Sequence, residues 1–367
     1  MKYLIYLGHP AHFHLFRITI QALRDAGHEV QIVIKSKDVL ESLLQSTGWA
    51  YTNLYDGPRG SKIHLARSLT VRELELYRVA RDFRPDVMIG TSAEITHVGL
   101  ALGIDSIVAN EDDYHVVPYF AYAAYPFATT ILAPSSCNVG RWRTKTVAYN
   151  GYHELAYLHP NHFNPNPEVA KRLAHDKQPY FILRLAELTA HHDAGRKGIG
   201  AEVARRLVSQ LSAHGRVYIT SERRLEAEFE RYRIAIDPSD IHSALAYATM
   251  YIGDSQTMAA EAAVLGTPSV RFNDFVGEIG YLNELEYAYG LTCGIKTSEP
   301  DRLHSVLGEW LQHPDLSGEW KRRRDRMLTE MIDVSQFLTG FLLQYPRAAR
   351  RQKAAIWRRV RSQVSAG

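Results

Sequence analysis

The clearest group of chemically capable residues lies in the stretch YIGDSQTMAAEAAVLGTPSV, residues 251–270. An apolar run ends at Gly253, and four polar residues follow it: Asp254, Ser255, Gln256 and Thr257. An alanine-rich segment then continues to Gly266, a residue type that often follows a helix. The pattern predicts a buried strand, a sharp turn, a helix and a second strand. Because the first backbone N–H groups of a helix have no partner within it, we expect this turn to bind an anion, phosphate above all.

One carboxylate interrupts the alanine-rich segment. Glu261 follows Ser255 by six residues, which is less than two helical turns. A carboxylate at that place can accept hydrogen bonds from both hydroxyls of a vicinal diol. The alternative is a capped helix that packs an alanine-rich face and leaves Glu261 in solvent.

The stretch LGHPAHFHLF, after the first apolar run, carries three histidines: His9, His12 and His14. We expect a loop here, in which Gly8 allows a ligand to approach closely. Imidazole is the natural general base near neutral pH, so His12 is the first candidate for that role and His14 the second. Hydrogen-bonded structural histidines are one alternative. A metal site is another, although no acidic or cysteine residue is near in the sequence.

The stretch RLAELTAHHDAGRKGIG follows the first strand of the second half. It supplies four candidate cations and donors for a bound anion: His191, His192, Arg196 and Lys197. Arg184 lies inside the preceding apolar strand, where a buried guanidinium needs a phosphate or carboxylate partner. The alternative for the loop is a solvated basic segment.

Two further polar groups follow apolar strands of the first half, in MIGTSAEITHVG and VANEDDYHVVPYF. Ligands gather at the carboxyl ends of parallel strands, so these residues are candidates for binding an acceptor molecule or for acid–base work. A solvated run of charges is the alternative. The candidates are Thr91, Ser92, Glu94, Asn110, Glu111, Asp112 and Asp113.

The elements that must position these residues alternate in both halves of the chain. Short apolar strands are separated by helix-length segments, the rhythm of βαβ units in a doubly wound parallel sheet. We therefore predict an α/β protein with two Rossmann-like domains that face a cleft, a common place for ligand sites. The predicted parts are an N-terminal domain 1–158, a linker 159–170, a second domain 171–316, a closing long helix 317–345 and a basic tail 346–367.

The composition is typical of a globular protein. The 367 residues include 46% hydrophobic and 23% charged residues, which is ordinary for a globular enzyme. No apolar run approaches the roughly 18 residues of a membrane span, and only two distant cysteines are present, so we expect a cytoplasmic protein.

The net charge of +3 is unevenly distributed. Seven basic residues and no acid lie in the tail 346–367, which leaves 36 basic and 40 acidic residues elsewhere. The body is therefore not expected to bind nucleic acid. The tail could form a basic amphipathic helix on the inner, anionic face of a membrane, or it could be solvated.

Three stretches carry a resemblance to known proteins: ILRLAELTAHHDAGRKGI, DIHSALAYATMYIGDSQTMAAEAAVLGTPSVR and YNGYHELAYLHP. They resemble an uncharacterised bacterial and archaeal family that is described as glycosyltransferase-like. The two halves resemble the glycosyltransferase B fold, which the UDP-N-acetylglucosamine 2-epimerases share.

The resemblance implies roles for several of these residues. It implies that Ser255 touches a phosphate, that Glu261 binds ribose hydroxyls, and that the loop with His191 and Arg196 lies against a diphosphate. It also implies a base-binding segment around Ile234–Ile236, with His242 as a weaker candidate in the same neighbourhood.

The sequence departs from the epimerases at two places. Their aspartate after the N-domain strand is Thr91 here, and their Glu-Ala-Gly-Leu-Arg stretch is EDDYHV, in which Glu111 could match the glutamate. We therefore predict a glycosyltransferase that needs no metal or other cofactor and moves a sugar from a nucleoside-diphosphate sugar, with UDP as the expected nucleotide. The expected acceptor is a glycan or lipid-linked molecule of the cell envelope. A 2-epimerase and a non-catalytic nucleotide-sugar-binding protein are the alternatives.

Overall fold

The computed structural model describes residues 1–35, 39–54, 62–174, 178–186, 197–221 and 223–350, without the side chains of 62–69. The chain forms two compact units. Unit 1 contains Met1–Tyr157 and Ile332–Gly367, and unit 2 contains Leu158–Met331. Each unit is built around one parallel sheet.

The described strands, in chain order, are β1 Lys2–Leu7, β2 Glu29–Ile34, β3 Thr52–Asn53, β4 Val87–Gly90, β5 Asp105–Ala109, β6 Thr130–Pro134, β7 Thr146–Tyr149, β8 Tyr180–Leu185, β9 Arg216–Ser221, β10 Met250–Gly253, β11 Ser269–Phe272 and β12 Thr292–Ile295. Unit 1 contains β1 to β7 and unit 2 contains β8 to β12.

The described α-helices are α1 Pro10–Asp25, α2 Leu40–Thr47, α3 Lys62–Phe83, α4 Glu94–Leu102, α5 Pro118–Ala124, α6 Pro167–Leu173, α7 Ala201–Ser212, α8 Ile241–Tyr247, α9 Gln256–Leu265, α10 Gly280–Tyr287, α11 Pro300–Leu311, α12 Leu316–Glu330 and α13 Val334–Leu343. Short 3-10 helices cover Gly140–Lys145, His153–Ala156, Glu230–Tyr232 and Pro238–Asp240.

The sheet of unit 1 has the strand order β3-β2-β1-β4-β5-β6-β7, and its described pairings are parallel. β1 is buried on both faces, which explains its continuous apolar sequence. Gly90, at the end of β4, is required for close packing because a Cβ there would lie 2.6 Å from the Tyr6 carbonyl oxygen. The strand order reverses between β1 and β4, so the loops after these two strands open at the switch point.

The sheet of unit 2 has the order β12-β11-β10-β8-β9, again with parallel pairings. Its switch point lies between β8 and β10, so the loop after β8 and the turn before α9 share one edge of the sheet. The alanines of α9 are buried, and their small side chains let the helix lie close to the sheet. The predicted fold class, α/β with two doubly wound parallel sheets, is confirmed.

The C-terminal part of the chain differs from the single long helix predicted for 317–345. α12 ends at Glu330, Met331 is extended, and α13 begins after the N-cap Asp333. The two helices differ in character, since α12 is polar and α13 is largely apolar. Asp333 starts the second helix, because its side chain accepts a hydrogen bond from the backbone N–H of Gln336.

α13 belongs to unit 1, although α12 belongs to unit 2. The hydroxyl of Ser335 donates to the Ala156 carbonyl at 2.6 Å, and the hydroxyl of Tyr3 donates to the Leu342 carbonyl at 2.9 Å. The last helix therefore completes the first unit. The structure also places the first unit boundary at Tyr157–Leu158, while Pro167, near the end of the predicted linker, starts α6.

Within the described part of the chain, no helix is long and apolar enough to cross a membrane. Most of the basic tail, residues 351–367, lies outside the described residues, and so does its predicted amphipathic helix.

We predict that Asp333→Ala lowers the free energy of unfolding by about 1 kcal/mol, because it removes the oxygen that caps α13. Urea denaturation followed by circular dichroism measures this change. Asp333→Asn keeps a capping oxygen and serves as the control, with a stability expected within about 0.5 kcal/mol of wild type. Equal stability of Asp333→Ala and wild type would contradict the role of this cap.

Candidate functional site

Asp254 organises the edge of the unit 2 sheet at its switch point. One carboxylate oxygen accepts from the backbone N–H of Ala186 at 2.7 Å, and the other accepts from the N–H of Ile199 at 3.0 Å. Gly198 permits this approach, because a Cβ there would lie 2.5 Å from the same carboxylate. Burial raises the pKa of Asp254, although the two backbone hydrogen bonds act in the opposite direction. Asp254 therefore holds together the two ends of the loop that leaves β8.

The turn after Asp254 forms the N-terminus of α9 as predicted from the sequence. Ser255 is the N-cap, and its hydroxyl accepts from the N–H of Met258 at 3.4 Å. The N–H groups of Gln256 and Thr257 precede the first intrahelical hydrogen bond, so they remain available at the half-buried end of the helix. Within the described part of the chain, the side-chain Oε1 of Gln256 is buried without a hydrogen-bond partner. The two N–H groups are donors of the kind that favour an anionic ligand, whereas the Gln256 oxygen would need a donor as its partner.

Glu261 is neither exposed nor solvated. Its carboxylate lies 3.0 Å from Nε2 of His242, and both side chains are less than one-tenth exposed. The ring of Phe163 packs against the edge of His242, with 6.1 Å between ring centroids. The structure thus pairs Glu261 with His242, which the sequence analysis had placed near the base-binding segment, and the solvated alternative for Glu261 does not apply.

The predicted cations of unit 2 are only partly described. Nη1 of Arg184 donates to the Thr220 hydroxyl at 2.9 Å, and β8 carries this arginine toward the switch point. Lys197 is exposed, and its backbone N–H donates to Asp274 at 2.9 Å. Three other predicted residues of this loop, His191, His192 and Arg196, lie outside the described residues.

The expected base-binding segment runs beside β9. The N–H of Ile234 donates to the Ile219 carbonyl at 2.9 Å, and a parallel bridge joins Ile219 and Arg233. The segment around Ile234–Ile236 is therefore fixed at the edge of the unit 2 sheet.

The histidines of unit 1 do not lie in a loop. α1 begins at Pro10, because proline suits the first position of a helix, so His12 and His14 are helical and His9 is the N-cap. Nδ1 of His12 accepts from the N–H of Gly8 at 3.1 Å. The ring of His14 packs against Tyr157, with 5.1 Å between centroids. The predicted loop is thus corrected to a helix N-terminus.

The polar residues after β4 form a buried network. Arg72 lies 3.0 Å from the Glu94 carboxylate, and both side chains are at most one-tenth exposed. The Ser92 hydroxyl donates to the same carboxylate. Burial alone would raise the pKa of Glu94, but the Ser92 hydrogen bond and the Arg72 charge lower it below its usual value. Glu94 is therefore engaged in this network, while the Thr91 hydroxyl is buried without a hydrogen-bond partner among the described residues.

The residues after β5 brace a tight acidic turn. The Asn110 side chain donates to the Asp112 carbonyl at 2.7 Å and to the Tyr125 hydroxyl at 2.9 Å. Asp113 is 3% exposed and accepts from the N–H of Asn138 at 2.7 Å. Burial, together with the charge of Glu111, raises the pKa of Asp112 to about 7. Asp112 thus takes up or releases its proton near neutral pH.

Glu111 contacts a residue that the sequence argument did not select. Its two carboxylate oxygens face His153: one accepts from the His153 backbone N–H at 3.1 Å, and the other lies 3.4 Å from the ring Nδ1. His153 begins a 3-10 helix four residues after β7. The available signal was a polar His-Glu pair in YNGYHELAYLHP, directly after a strand.

A depression of about 490 Å³ lies beside the acidic turn, along the ends of β6 and β7. Cys137 lines it and donates from its sulfur to the Asp112 carbonyl at 3.1 Å. Burial raises the pKa of this thiol, so Cys137 is a neutral lining residue. Arg143 lines the same depression and supplies a positive charge.

Among the described residues, no group of three or more His, Cys, Asp or Glu side chains is arranged to hold a metal ion.

A family profile matches most of the chain. The profile of a family described as "Protein of unknown function (DUF354)" matches residues 1–275. No curated protein sequence matches the chain.

Solved structures with the same fold include a glycosyltransferase and a UDP-GlcNAc 2-epimerase. SsfS6, a glycosyltransferase from Streptomyces sp. SF2575, has a TM-score of 0.58 at 14% identity, over 94% of this chain and 100% of that chain. UDP-GlcNAc 2-epimerase from Neisseria meningitidis, bound to UDP-GlcNAc, has a TM-score of 0.63 at 14% identity, over 94% and 100%. S. aureus MnaA, in a co-structure with UDP, has a TM-score of 0.65 at 12% identity, over 95% and 97%. At these identities the likeness shows the fold, and the predicted glycosyltransferase B fold is confirmed.

The pKa of Asp112 leads to a prediction about stability. An acid whose pKa rises on folding stabilises the folded state at low pH and loses that contribution as the pH rises through the raised pKa, here about 7. Asp112→Asn has no proton to release. Because Asp112 is only partly buried, we expect the variant to gain about 1–2 kcal/mol relative to wild type between about pH 5 and pH 8.

Urea denaturation at the two pH values measures this difference. Asp82→Asn replaces an exposed aspartate of the same unit and is the control, with a pH-independent difference from wild type expected. A constant difference for Asp112→Asn as well would contradict the raised pKa.

Proposed function

The chain belongs to the DUF354 family of proteins of unknown function, and we propose that it transfers a sugar from a nucleoside-diphosphate sugar to a hydroxyl group of an acceptor. The acceptor class that we propose is a glycan or a lipid-linked molecule. UDP is the proposed nucleotide.

The observation that carries this proposal is the switch point of unit 2. There the start of α9 presents the N–H groups of Gln256 and Thr257, and Glu261 follows deeper in the same helix. Six residues of helix rise about 9 Å, which suits a ligand with a diphosphate at one end and a ribose at the other. The Glu261 carboxylate would accept from the ribose hydroxyls, while His242 fixes its orientation.

Charge supports the same assignment. Among the described residues, the Asp254 carboxylate accepts from two backbone N–H groups, and the charge of Arg223 also stabilises its ionised form. Arg184 and Lys197, with His191, His192 and Arg196 in the loop outside the described residues, would stabilise the negative charge of the departing diphosphate. A transfer of this kind needs positioning and charge stabilisation more than covalent chemistry.

Unit 1 is proposed to hold the acceptor. Thr91 presents a buried hydroxyl without a partner among the described residues, and Asp112 lies beside the depression lined by Cys137 and Arg143. Asn110, Asp113 and Glu94 would act by keeping these groups in place, since their side chains are engaged in internal hydrogen bonds. Removal of the acceptor proton would fall to an imidazole of this unit, for which His12 and His14 were the first candidates.

A panel of UDP, GDP, dTDP and CMP sugars, each with and without glycan and lipid-linked acceptors, tests the proposal. We expect one nucleotide sugar to release its nucleotide only when an acceptor is present, because transfer consumes both substrates. Release or isomerisation without acceptor would favour 2-epimerase chemistry. Binding without turnover would favour a nucleotide-sugar-binding protein, and absence of binding at millimolar concentration would contradict all three.

The predicted ribose contact can be tested directly. We predict that Glu261→Gln weakens UDP binding by about 10- to 100-fold, because a charged acceptor of two hydroxyl groups is lost. Isothermal titration calorimetry with UDP measures the affinity. Glu226→Gln, at an exposed position of the same unit, is the control and should bind like wild type. Unchanged affinity of a folded Glu261→Gln variant would remove Glu261 from the nucleotide site.

A further inference from the structure

We infer that His153 is the proton acceptor of the reaction and that Glu111 is the residue that positions it. The inference rests on the proposed function, since it names the group that deprotonates the acceptor hydroxyl. Its basis is the contact between two residues that follow strands of the unit 1 sheet, Glu111 after β5 and His153 after β7, with β6 between these two strands.

Glu111 fixes both the backbone and the ring of His153. One carboxylate oxygen accepts from the backbone N–H at 3.1 Å, which anchors the start of the 3-10 helix. The other oxygen lies 3.4 Å from Nδ1 of the ring. Because a carboxylate only accepts hydrogen bonds, we expect the neutral imidazole to carry its proton on Nδ1, which leaves the lone pair on Nε2.

Nε2 is therefore the ring nitrogen that can accept a proton. Within the described part of the chain, this atom is buried and has no hydrogen-bond partner. A buried polar atom without a partner costs free energy, so such an atom indicates a ligand or water that completes it. A hydroxyl group that donates to Nε2 is the partner that this tautomer requires.

The other imidazoles considered have the opposite arrangement. Nδ1 of His12 accepts from the Gly8 N–H, and Nδ1 of His9 accepts from the Ala11 N–H. A backbone N–H that donates to Nδ1 places the lone pair there and the proton on Nε2. His12 is therefore arranged to donate from Nε2, whereas His153 is arranged to accept at Nε2. This difference moves the base assignment from His12 to His153.

Acidic side chains surround His153. Glu111 contacts it, and Asp112 and the fully buried Glu154 are close in the chain or in space. The neutral Cys137 and Tyr149 complete the neighbourhood. The same carboxylates would oppose a second negative charge, so a neutral acceptor hydroxyl suits this place better than a bound phosphate.

The proton and electrons balance as follows. The acceptor hydroxyl gives its proton to Nε2 of His153, and its oxygen forms a bond to the anomeric carbon of the sugar. The bond from that carbon to the diphosphate oxygen breaks, and the nucleoside diphosphate leaves with the electron pair. The imidazolium then returns its proton to solvent.

The tautomer of His153 can be measured without any substrate. Long-range ¹H–¹⁵N correlation spectra of the full-length protein, above the pH at which the ring is neutral, show which nitrogen carries the proton. The signals absent from His153→Gln identify the residue. We expect an Nδ1–H ring in wild type, and an Nε2–H ring would overturn the inference.

Glu111→Gln tests the positioning role. The amide oxygen of this variant can still accept from the His153 backbone N–H, and its NH₂ group then faces Nδ1 of the ring. We therefore expect the ring to change to the Nε2–H tautomer, and Glu111→Asp to restore the Nδ1–H form at least in part. A purely structural role would leave the tautomer unchanged, and that result would contradict the role of Glu111.

Kinetics with the nucleotide sugar and acceptor that wild type turns over provide the second test. We expect His153→Gln to lower kcat by about 10²- to 10⁴-fold with little change in the KM of the nucleotide sugar, and Glu111→Gln to lower kcat by about tenfold or more. His115→Gln changes an exposed histidine of the same unit and is the control, expected to behave like wild type.

The outcomes separate this inference from the proposed function. Turnover by His153→Gln within a few fold of wild type would overturn the base assignment while leaving the transferase proposal intact. A wild-type protein that binds nucleotide sugars without turning them over would overturn it as well. If wild type binds no nucleotide sugar, the proposed function fails, and the tautomer measurement still decides how Glu111 and His153 are arranged.

Discussion

The hydrogen bonds from two backbone amides to the Asp254 carboxylate are the constraint on which the unit 2 site depends. They join Ala186 and Ile199, the two ends of the loop after β8, to the turn that starts α9. Asn273 adds a third strand end, since its side chain donates to the Asp254 carbonyl at 3.2 Å. Two backbone amides and the charge of Arg223 stabilise the ionised form of this carboxylate. The start of α9 and the residues Ala186 and Ile199 are thus held at one edge of the sheet.

Much of this architecture could be predicted because its signals are local. The strand, turn and helix from Met250 to Leu265 are specified by an apolar run, a capping serine and an alanine-rich segment that are adjacent in sequence. The parallel sheets follow from the repeated alternation of such units. What Asp254 does could not be predicted in the same way. Its partners precede it by 55 and 68 residues, and only the fold brings them together.

The roles of the unit 1 histidines could not be predicted either, because they depend on which ring nitrogen carries the proton. Their type and spacing identified a possible base in His12, yet a base is defined by which ring nitrogen keeps its lone pair. That depends on the Gly8 N–H, which points at Nδ1 because Pro10 starts the helix so early. His153 could not be selected from spacing, since Glu111 lies 42 residues before it on another strand end. The helix break at Asp333, in contrast, has a signal that is local in the sequence: a capping aspartate directly before an apolar run.

In the proposed function, the two units divide the chemistry in a way that follows from their charges. Unit 2 offers amides and cations at its switch point, which suit a diphosphate and its departure with an added electron pair. Unit 1 offers carboxylates around an imidazole, which suit a neutral hydroxyl and the acceptance of its proton. Neither set could serve the other role, because carboxylates repel a diphosphate and cations disfavour an imidazolium ion. Binding of the nucleotide and activation of the acceptor should therefore respond to separate substitutions, and a change in one unit should leave the other step measurable.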